Sequence, residues 1–136
     1  MTIKEIKEGD LILARHIPSE DAWVNGLNFF SQDSEFIQVG TWAYSSGKEL
    51  LAHSHNKVER KVYWTQEVLY IRKGKARADI YNTNNEKVAE FIGEEGDVLI
   101  LLIGGHGYQI LEDGTQVLEV KNGPYLGAEI DRRRLS

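Results

Sequence analysis

The 136-residue chain contains no cysteine. Disulfide frameworks, thiolate metal sites and cysteine nucleophiles are therefore excluded, and any metal must take nitrogen and oxygen ligands. The chain also lacks an apolar run of about 18 residues, the minimum for a membrane-spanning helix. Its N-terminal sequence, MTIKEIKEGD, is charged and has no apolar signal-peptide core. We therefore expect a cytoplasmic protein with no membrane partner.

Basic residues are outnumbered, with 16 Lys and Arg against 21 Asp and Glu and a net charge of -5. Because nucleic-acid binding requires clustered Lys and Arg, this balance argues against a nucleic-acid partner. The one basic cluster, Arg132 to Arg134, is interpreted as a solvated C-terminal tail. The length and the 41% hydrophobic content suit one globular domain spanning residues 1–136.

The remaining pattern predicts short strands separated by turns. Residues 36–44 are rich in β-branched and aromatic side chains, which favour strands. Further strands are predicted at 49–53, at 67–81 as two strands around Lys73-Gly74, and at 87–93, 98–104, 106–113 and 115–123, the last two forming a hairpin across Asp113-Gly114. Residues 19–32 are less regular and compatible with a helical turn. This spacing predicts an all-β sandwich or small barrel with its core at about residues 36–123.

Two histidines one residue apart raise the question of a shared ligand. In an extended strand His53 and His55 point to the same side, and two imidazoles in an apolar interior are costly without partners. Glu67 alternates with Leu69 and Ile71, which are expected to face the core. A lone buried carboxylate is disfavoured in its charged form. One divalent cation would provide a partner for all three groups.

The fourth candidate ligand is His106, which follows Gly104-Gly105 at the start of a predicted strand. Tyr108 shares its face, and the phenol could donate a proton or orient a substrate. Tyr108 is therefore the candidate catalytic residue. The remaining histidine, His16, is interpreted as a surface or loop residue.

These residues resemble the two motifs of the cupin superfamily. The first motif is matched by Gly47, five residues, His53, one residue, His55, a spacer, Glu67, six residues and Gly74. The second motif is matched by Gly96-Asp97, the apolar strand, Gly104 and His106. The resemblance covers most of residues 36–120 and implies a single-domain, cupin-type jelly-roll β-barrel that forms a homodimer. It also implies that the metal ligands are His53, His55, Glu67 and His106.

The chain departs from the motifs at two places. Eleven residues separate His55 from Glu67, a longer spacer than is usual, and Glu59 stands at the shorter spacing. Glu67 is preferred because Gly74 follows it at the motif distance. The second motif lacks its usual proline, with Leu102 near that place.

Three imidazoles and a carboxylate would leave an open position on one divalent ion of Fe, Mn, Ni, Co or Zn. Such an ion could stabilise an enediolate during isomerisation or, as iron, activate dioxygen. We therefore expect a metal-dependent isomerase or dioxygenase acting on a small polar or ring-shaped molecule, such as a sugar, phenolic or keto compound. The alternative is a non-catalytic cupin that binds or senses a small molecule.

Aromatic side chains near the motifs have two interpretations. They could wall a pocket for a ring-shaped ligand, or they could form the barrel core and a dimer interface. The residues concerned are Trp42, Tyr44, Tyr63, Trp64, Tyr70 and Tyr108.

Overall fold

The computed structural model describes residues 3–135. Within this range the chain forms strands and two single-turn helices, which confirms the all-β prediction. The elements in chain order are β1 (Lys4–Glu8), β2 (Leu11–Ile17), α1 (Ser19–Ala22), β3 (Gly26–Phe29), β4 (Gly40–Ala43), β5 (Glu67–Lys73), β6 (Lys75–Tyr81), β7 (Lys87–Glu94), β8 (Val98–Leu101), β9 (Gly105–Ile110), β10 (Gln116–Lys121) and α2 (Ala128–Asp131). No helix within residues 3–135 has both the length and the apolar character needed to cross a membrane.

The strands form three antiparallel sheets. The large sheet has the order β1-β2-β8-β5-β10, a smaller sheet has the order β7-β6-β9, and β3 pairs with β4. From β5 onward the chain crosses between the large and smaller sheets four times, after β5, β7, β8 and β9. Gly74, at the first of these crossings, has a φ of 88° and lies against Thr115, at the last, so these two crossings run side by side. This arrangement places β5 and β9 in different sheets.

The main hydrophobic core lies between the large and smaller sheets. Alternate strand residues point to the same side, so Leu69 and Leu99 of the large sheet contribute to one cluster with Ile80 and Phe91 of the smaller sheet. All four side chains are at most 5% exposed. Glu67 lies on the same inner side of β5 as Leu69, which sets a carboxylate at the margin of this core.

The other face of the large sheet is covered by residues 18–43. Ile17 and Ile100 of this sheet pack with Ala22, Ile37 and Val39 in a second buried cluster. The central strand β8 is therefore buried on both faces, which explains why it is apolar at every position.

A buried arginine fixes this covering segment to the sheet. Arg15 on β2 is 4% exposed and donates to both carboxylate oxygens of Glu35 and to the carbonyl of Phe30. Its Nε atom donates to Glu5 on β1 at 2.8 Å. Because the guanidinium bonds two carboxylates at once, the buried charge is compensated.

Several predicted strands are confirmed and others are shorter than predicted. The pair around Lys73-Gly74 forms β5 and β6, the strand at 87–93 forms β7, and the helical turn within 19–32 is α1. The strand predicted at 36–44 is reduced to β4, and that at 98–104 to β8. The strands β1 and β2 were not predicted, because charged residues interrupt their apolar pattern.

Two strand predictions are wrong. Residues 44–66, called here the connecting segment, contain neither helix nor strand, so the strand at 49–53 does not form. The strands of the hairpin across Asp113-Gly114 exist, but β9 pairs with β6 and β10 pairs with β5. The turn between them joins two sheets, because each strand forms its ladder with a distant partner.

The surface interpretation of His16 is also wrong. His16 lies on β2 and is 9% exposed, with its Nε2 atom 2.8 Å from Oδ2 of Asp97. The Asp97 carboxylate also accepts the backbone N–H groups of Ser19 and Glu94. The Gly-Asp pair of the second motif therefore anchors the turn before β8 to β2 and α1.

Candidate functional site

A cluster of four polar side chains lies between the two facing sheets, at one end of the core. It consists of Glu67, His106, Tyr108 and Lys121, called here the Glu67 cluster. Two members come from the large sheet and two from the smaller sheet. The cluster therefore depends on the packing of one sheet against the other.

Glu67 is the first residue of β5, with Leu101 of β8 and Lys121 of β10 as its cross-strand neighbours. Its side chain shares the inner face with Leu69, and the residue is only 6% exposed. The Nζ atom of Lys121 lies 3.3 Å from Oε1 of Glu67. This opposite-charge cross-strand pair compensates part of the charge on the buried carboxylate.

Two groups from β9 approach the other oxygen of the same carboxylate. His106 and Tyr108 alternate on the inner face of β9, opposite Ile80 and Ala78 of β6. The Nε2 atom of His106 lies 2.8 Å from Oε2 of Glu67, and the Tyr108 hydroxyl donates to that oxygen at 3.1 Å. The two rings have centroids 5.3 Å apart. One carboxylate thus holds both an imidazole and a phenol.

Contacts within the cluster lower the pKa of Glu67 and raise the pKa of Tyr108. Burial raises the pKa of Glu67, but hydrogen bonds and charges from His106 and Lys121 outweigh burial and lower it to about 2. For Tyr108, burial and then the charge and hydrogen bond of Glu67 raise the pKa well above its usual value. Near neutral pH the site therefore holds an ionised carboxylate beside a protonated phenol.

Lys121 was not predicted as a site residue. Burial acts to lower its pKa, but the hydrogen bond and charge of Glu67, with the charge of Glu119, raise it, while Arg132 opposes them. The sequence nevertheless contains a signal for it. Lys121 alternates along the strand with Val117 and Glu119, so the three side chains are expected on one face. That signal was missed because β10 was paired with β9 instead of β5.

The other two predicted ligands lie elsewhere. His53 and His55 are exposed residues of the connecting segment, with ring centroids 5.0 Å apart. The Nδ1 atom of His53 is 3.3 Å from the carbonyl oxygen of Leu51. Glu59, the alternative carboxylate, is exposed in the same segment. Within residues 3–135, no group of three or more His, Cys, Asp or Glu side chains is placed to hold a metal ion.

The aromatic residues fit neither a pocket wall nor a core uniformly. Trp42, Tyr63 and Trp64 are more than half exposed, so the core interpretation is wrong for these three. Tyr70 makes an edge contact with Trp23 on the covered face of the large sheet. Only Tyr108 reaches the polar cluster.

A small cavity of about 200 Å³ lies apart from the Glu67 cluster. Its lining includes Phe36, Trp64 and Gln66, together with Glu35, whose carboxylate is already bound by Arg15. The side-chain Oε1 atom of Gln66 accepts the backbone N–H groups of Phe36 and Ile37. Because these polar groups have structural partners, the cavity is a weaker candidate for chemistry than the Glu67 cluster.

Comparison with known proteins gives no family model that matches this chain. No curated protein and no solved structure shows significant similarity to it. The function of the chain is therefore inferred from the residues and geometry of the Glu67 cluster.

Proposed function

We propose that the chain is a cupin-type enzyme that isomerises a small polar molecule by proton transfer at the Glu67 cluster. Two facing antiparallel sheets with a polar site at one end of the core are compatible with a jelly-roll barrel. The order of the two sequence motifs supports the same family. The sugar and keto-compound classes suggested by the sequence are the substrates that suit such a reaction.

One observation carries the proposal. A single buried oxygen, Oε2 of Glu67, has both the imidazole of His106 and the hydroxyl of Tyr108 within hydrogen-bonding distance. A carboxylate-oriented imidazole beside a neutral phenol provides a base and a proton donor in one place. Both groups come from one face of β9, so they could act on adjacent atoms of one substrate.

Each residue has a separate role in the proposed reaction. Glu67 is a weak base, because its pKa of about 2 lies far below neutral pH. It instead orients His106 through Nε2, which leaves Nδ1 to exchange a proton with the substrate. His106 removes a proton from the carbon beside a carbonyl, and the electron pair moves to the carbonyl oxygen. On substrate binding, the Tyr108 hydroxyl turns its single hydrogen from Glu67 to that oxygen and donates a hydrogen bond there. In a hydroxy-carbonyl substrate, the hydroxyl on that carbon passes its proton to the former carbonyl oxygen. His106 then returns the carbon's proton to the former carbonyl carbon, which completes the isomerisation.

The predicted divalent metal is a separate proposal. Glu67 and His106 have the oxygen and nitrogen donors that Fe, Mn, Ni, Co and Zn accept. The full set of four predicted ligands does not fit one ion as placed, because His53 and His55 lie in the connecting segment away from this pair. The steps above therefore use only groups of the chain itself. A dioxygenase reaction depends on the metal proposal.

The isomerase proposal is tested by proton exchange. The protein is incubated in D₂O with a panel of sugars and keto acids, and deuterium entry is followed by NMR. We expect exchange with at least one compound, its loss in His106→Ala, and a roughly 100-fold decrease in Tyr108→Phe, as expected for loss of an oxyanion donor. Val88→Ala, an exposed change on β7, serves as the control. Absence of exchange across the panel, also after loading with Fe, Mn, Ni or Zn, would refute the proposal.

The metal proposal is tested by elemental analysis of the native protein. The adjacent rings of His53 and His55 favour one shared ion. If these histidines and Glu67 bind it together, His53→Ala and Glu67→Ala should each remove the metal, whereas Glu59→Ala should retain it. Metal retained in both of the first two variants would exclude this ligand set.

A further inference from the structure

The C-terminal segment, residues 123–135, runs beside the Glu67 cluster. Just before it, Asn122 accepts the backbone N–H of Gln66 at 2.7 Å and donates to the carbonyl of Trp64 at 3.1 Å. Further along, the Thr65 hydroxyl donates to Asp131. The chain leaving β10 is therefore attached to the residues that immediately precede Glu67.

The end of the segment reaches the other sheet. Leu135 packs on Gly105, where even an added methyl group would overlap the leucine side chain. Gly105 directly precedes His106 on β9. Asp131 and Leu135 thus fix the segment at two points, one beside Glu67 and one beside His106, and the chain between them passes from one side of the cluster to the other.

The three residues between these two points are Arg132, Arg133 and Arg134. Arg132 follows α2 with extended backbone angles, φ -137° and ψ 162°. Its charge acts on the ammonium group of Lys121. Within residues 3–135, none of the three guanidinium groups takes part in an ion pair. All three arginines are exposed, as the interpretation of a solvated tail predicts, but the residues on either side of them contact Thr65 and Gly105.

The carboxylates of the Glu67 cluster and of Asp131 bond other groups and do not pair with the three arginines. Glu67 is engaged by His106, Tyr108 and Lys121, and Asp131 accepts from Thr65. Glu119 acts on Lys121 through its charge and moderates the local positive potential. A planar guanidinium and an ammonium group beside each other can bind the oxygens of a phosphate or carboxylate with several charge-assisted hydrogen bonds.

We infer that the C-terminal segment forms one wall of the site, and that Lys121 and Arg132 bind an anionic group of the substrate, a phosphate or a carboxylate. This inference rests on the proposed function, because it assigns the substrate class of the same cluster. The anionic group of the substrate is bound at the edge of the site by Lys121 and Arg132. The carbon that loses its proton then lies next to His106. Arg132 is then a specificity-determining residue.

The test uses the full-length protein with inorganic phosphate and acetate as separate probes. Binding is followed through the His106 imidazole signals by NMR, with His106→Asn used for assignment. We expect a saturable change at His106 with one of the two anions, and a dissociation constant about tenfold weaker in Arg132→Gln and in Lys121→Gln. Arg72→Gln, an exposed change on β5 outside the site, should bind as the native protein does.

Comparing the two anions identifies the charged group of the substrate. A phosphate group predicts tighter binding of phosphate, and a carboxylate group predicts tighter binding of acetate. Native-like binding by Arg132→Gln, binding that leaves His106 unperturbed, or no binding of either anion would each overturn the inference. The readout does not require turnover. Arg132-dependent binding without proton exchange would therefore count against the proposed reaction alone.

Discussion

Glu67 combines burial with a strongly stabilised charge. A carboxylate that is 6% exposed would ordinarily resist ionisation. His106 and Lys121 reverse that preference because their positive or donor groups lie within 3.3 Å of its oxygens. Because its pKa is lowered, Glu67 is a weak proton acceptor near neutral pH, and its role is to position its neighbours.

The lowered pKa of Glu67 makes the unfolding free energy depend on pH in the acidic range. The folded pKa of Glu67, about 2, lies below its ordinary value of 4.5, so its contribution is complete above about pH 5 and is lost as the pH falls toward 2. We expect Glu67→Gln to remove about 1–3 kcal/mol of pH-dependent stability over this window, reduced by solvent screening around Lys121 and His106. Urea unfolding in chelator-containing buffers at several pH values measures it. The exposed Glu59→Gln is the matched control, and equal pH profiles for both variants would contradict the assignment.

At the scale of elements, the first and last crossings between the large and smaller sheets decide which side chains meet. The chain leaves the large sheet after β5 at Gly74 and returns to it for the last time before β10 at Thr115, and these points are in contact. This contact places β10 beside β5, which brings Lys121 opposite Glu67. The pairing of β9 with β6 presents His106 and Tyr108 from the opposite sheet.

A glycine substitution at the crossing tests this arrangement. In Gly74→Ala the new methyl group would overlap the backbone of Thr115 at a φ of 88°, so we expect a loss of about 2–4 kcal/mol of unfolding free energy. Gly114→Ala has a similar positive φ of 76° but open space around the new atom, and should lose only about 1–2 kcal/mol. Urea denaturation compares the two. Equal losses would mean that the Gly74–Thr115 contact does not stabilise the crossing.

At the scale of the whole molecule, the surface is large for the chain length. The accessible area is 9633 Å² for 15.5 kDa, whereas a folded monomer of this mass exposes about 7,200 Å². The exposed surface includes large apolar side chains. Leu27 pairs with Trp42 in the β3–β4 hairpin, with Phe29 on the same face, and all three are more than half exposed.

We therefore predict that the face formed by Leu27, Phe29 and Trp42 is covered in a homodimer, as the family resemblance also implies. The accessible area exceeds that of a typical monomer by about 2,400 Å². A standard interface buries about 800 Å² on each partner, so the excess is large enough to supply one. Light scattering should give about 31 kDa, twice the chain mass of 15.5 kDa, and Trp42→Glu should shift the protein toward monomer. The matched control is Val88→Glu, an exposed change on β7. A native protein that scatters as a monomer would refute this prediction.

Local patterns in the sequence determined the strand class and the inner faces of several strands. Alternation along β5 places Glu67 on the side of Leu69, and alternation along β9 places Tyr108 on the side of His106. Both follow from the two-residue period of a strand, which needs no knowledge of its neighbours. For this reason the Glu67, His106 and Tyr108 part of the candidate site could be predicted.

The partners of each strand were decided only by the tertiary structure. The Asp113-Gly114 turn predicts a hairpin locally, yet packing between the two sheets gives β9 and β10 separate partners and thereby brings Lys121 to Glu67. The same dependence on distant partners leaves His53 and His55 in an unpaired segment, and it brings Asp131 to Thr65 and Leu135 to Gly105. A sequence period specifies which way a side chain faces, whereas what it faces is set by contacts between residues far apart in the chain.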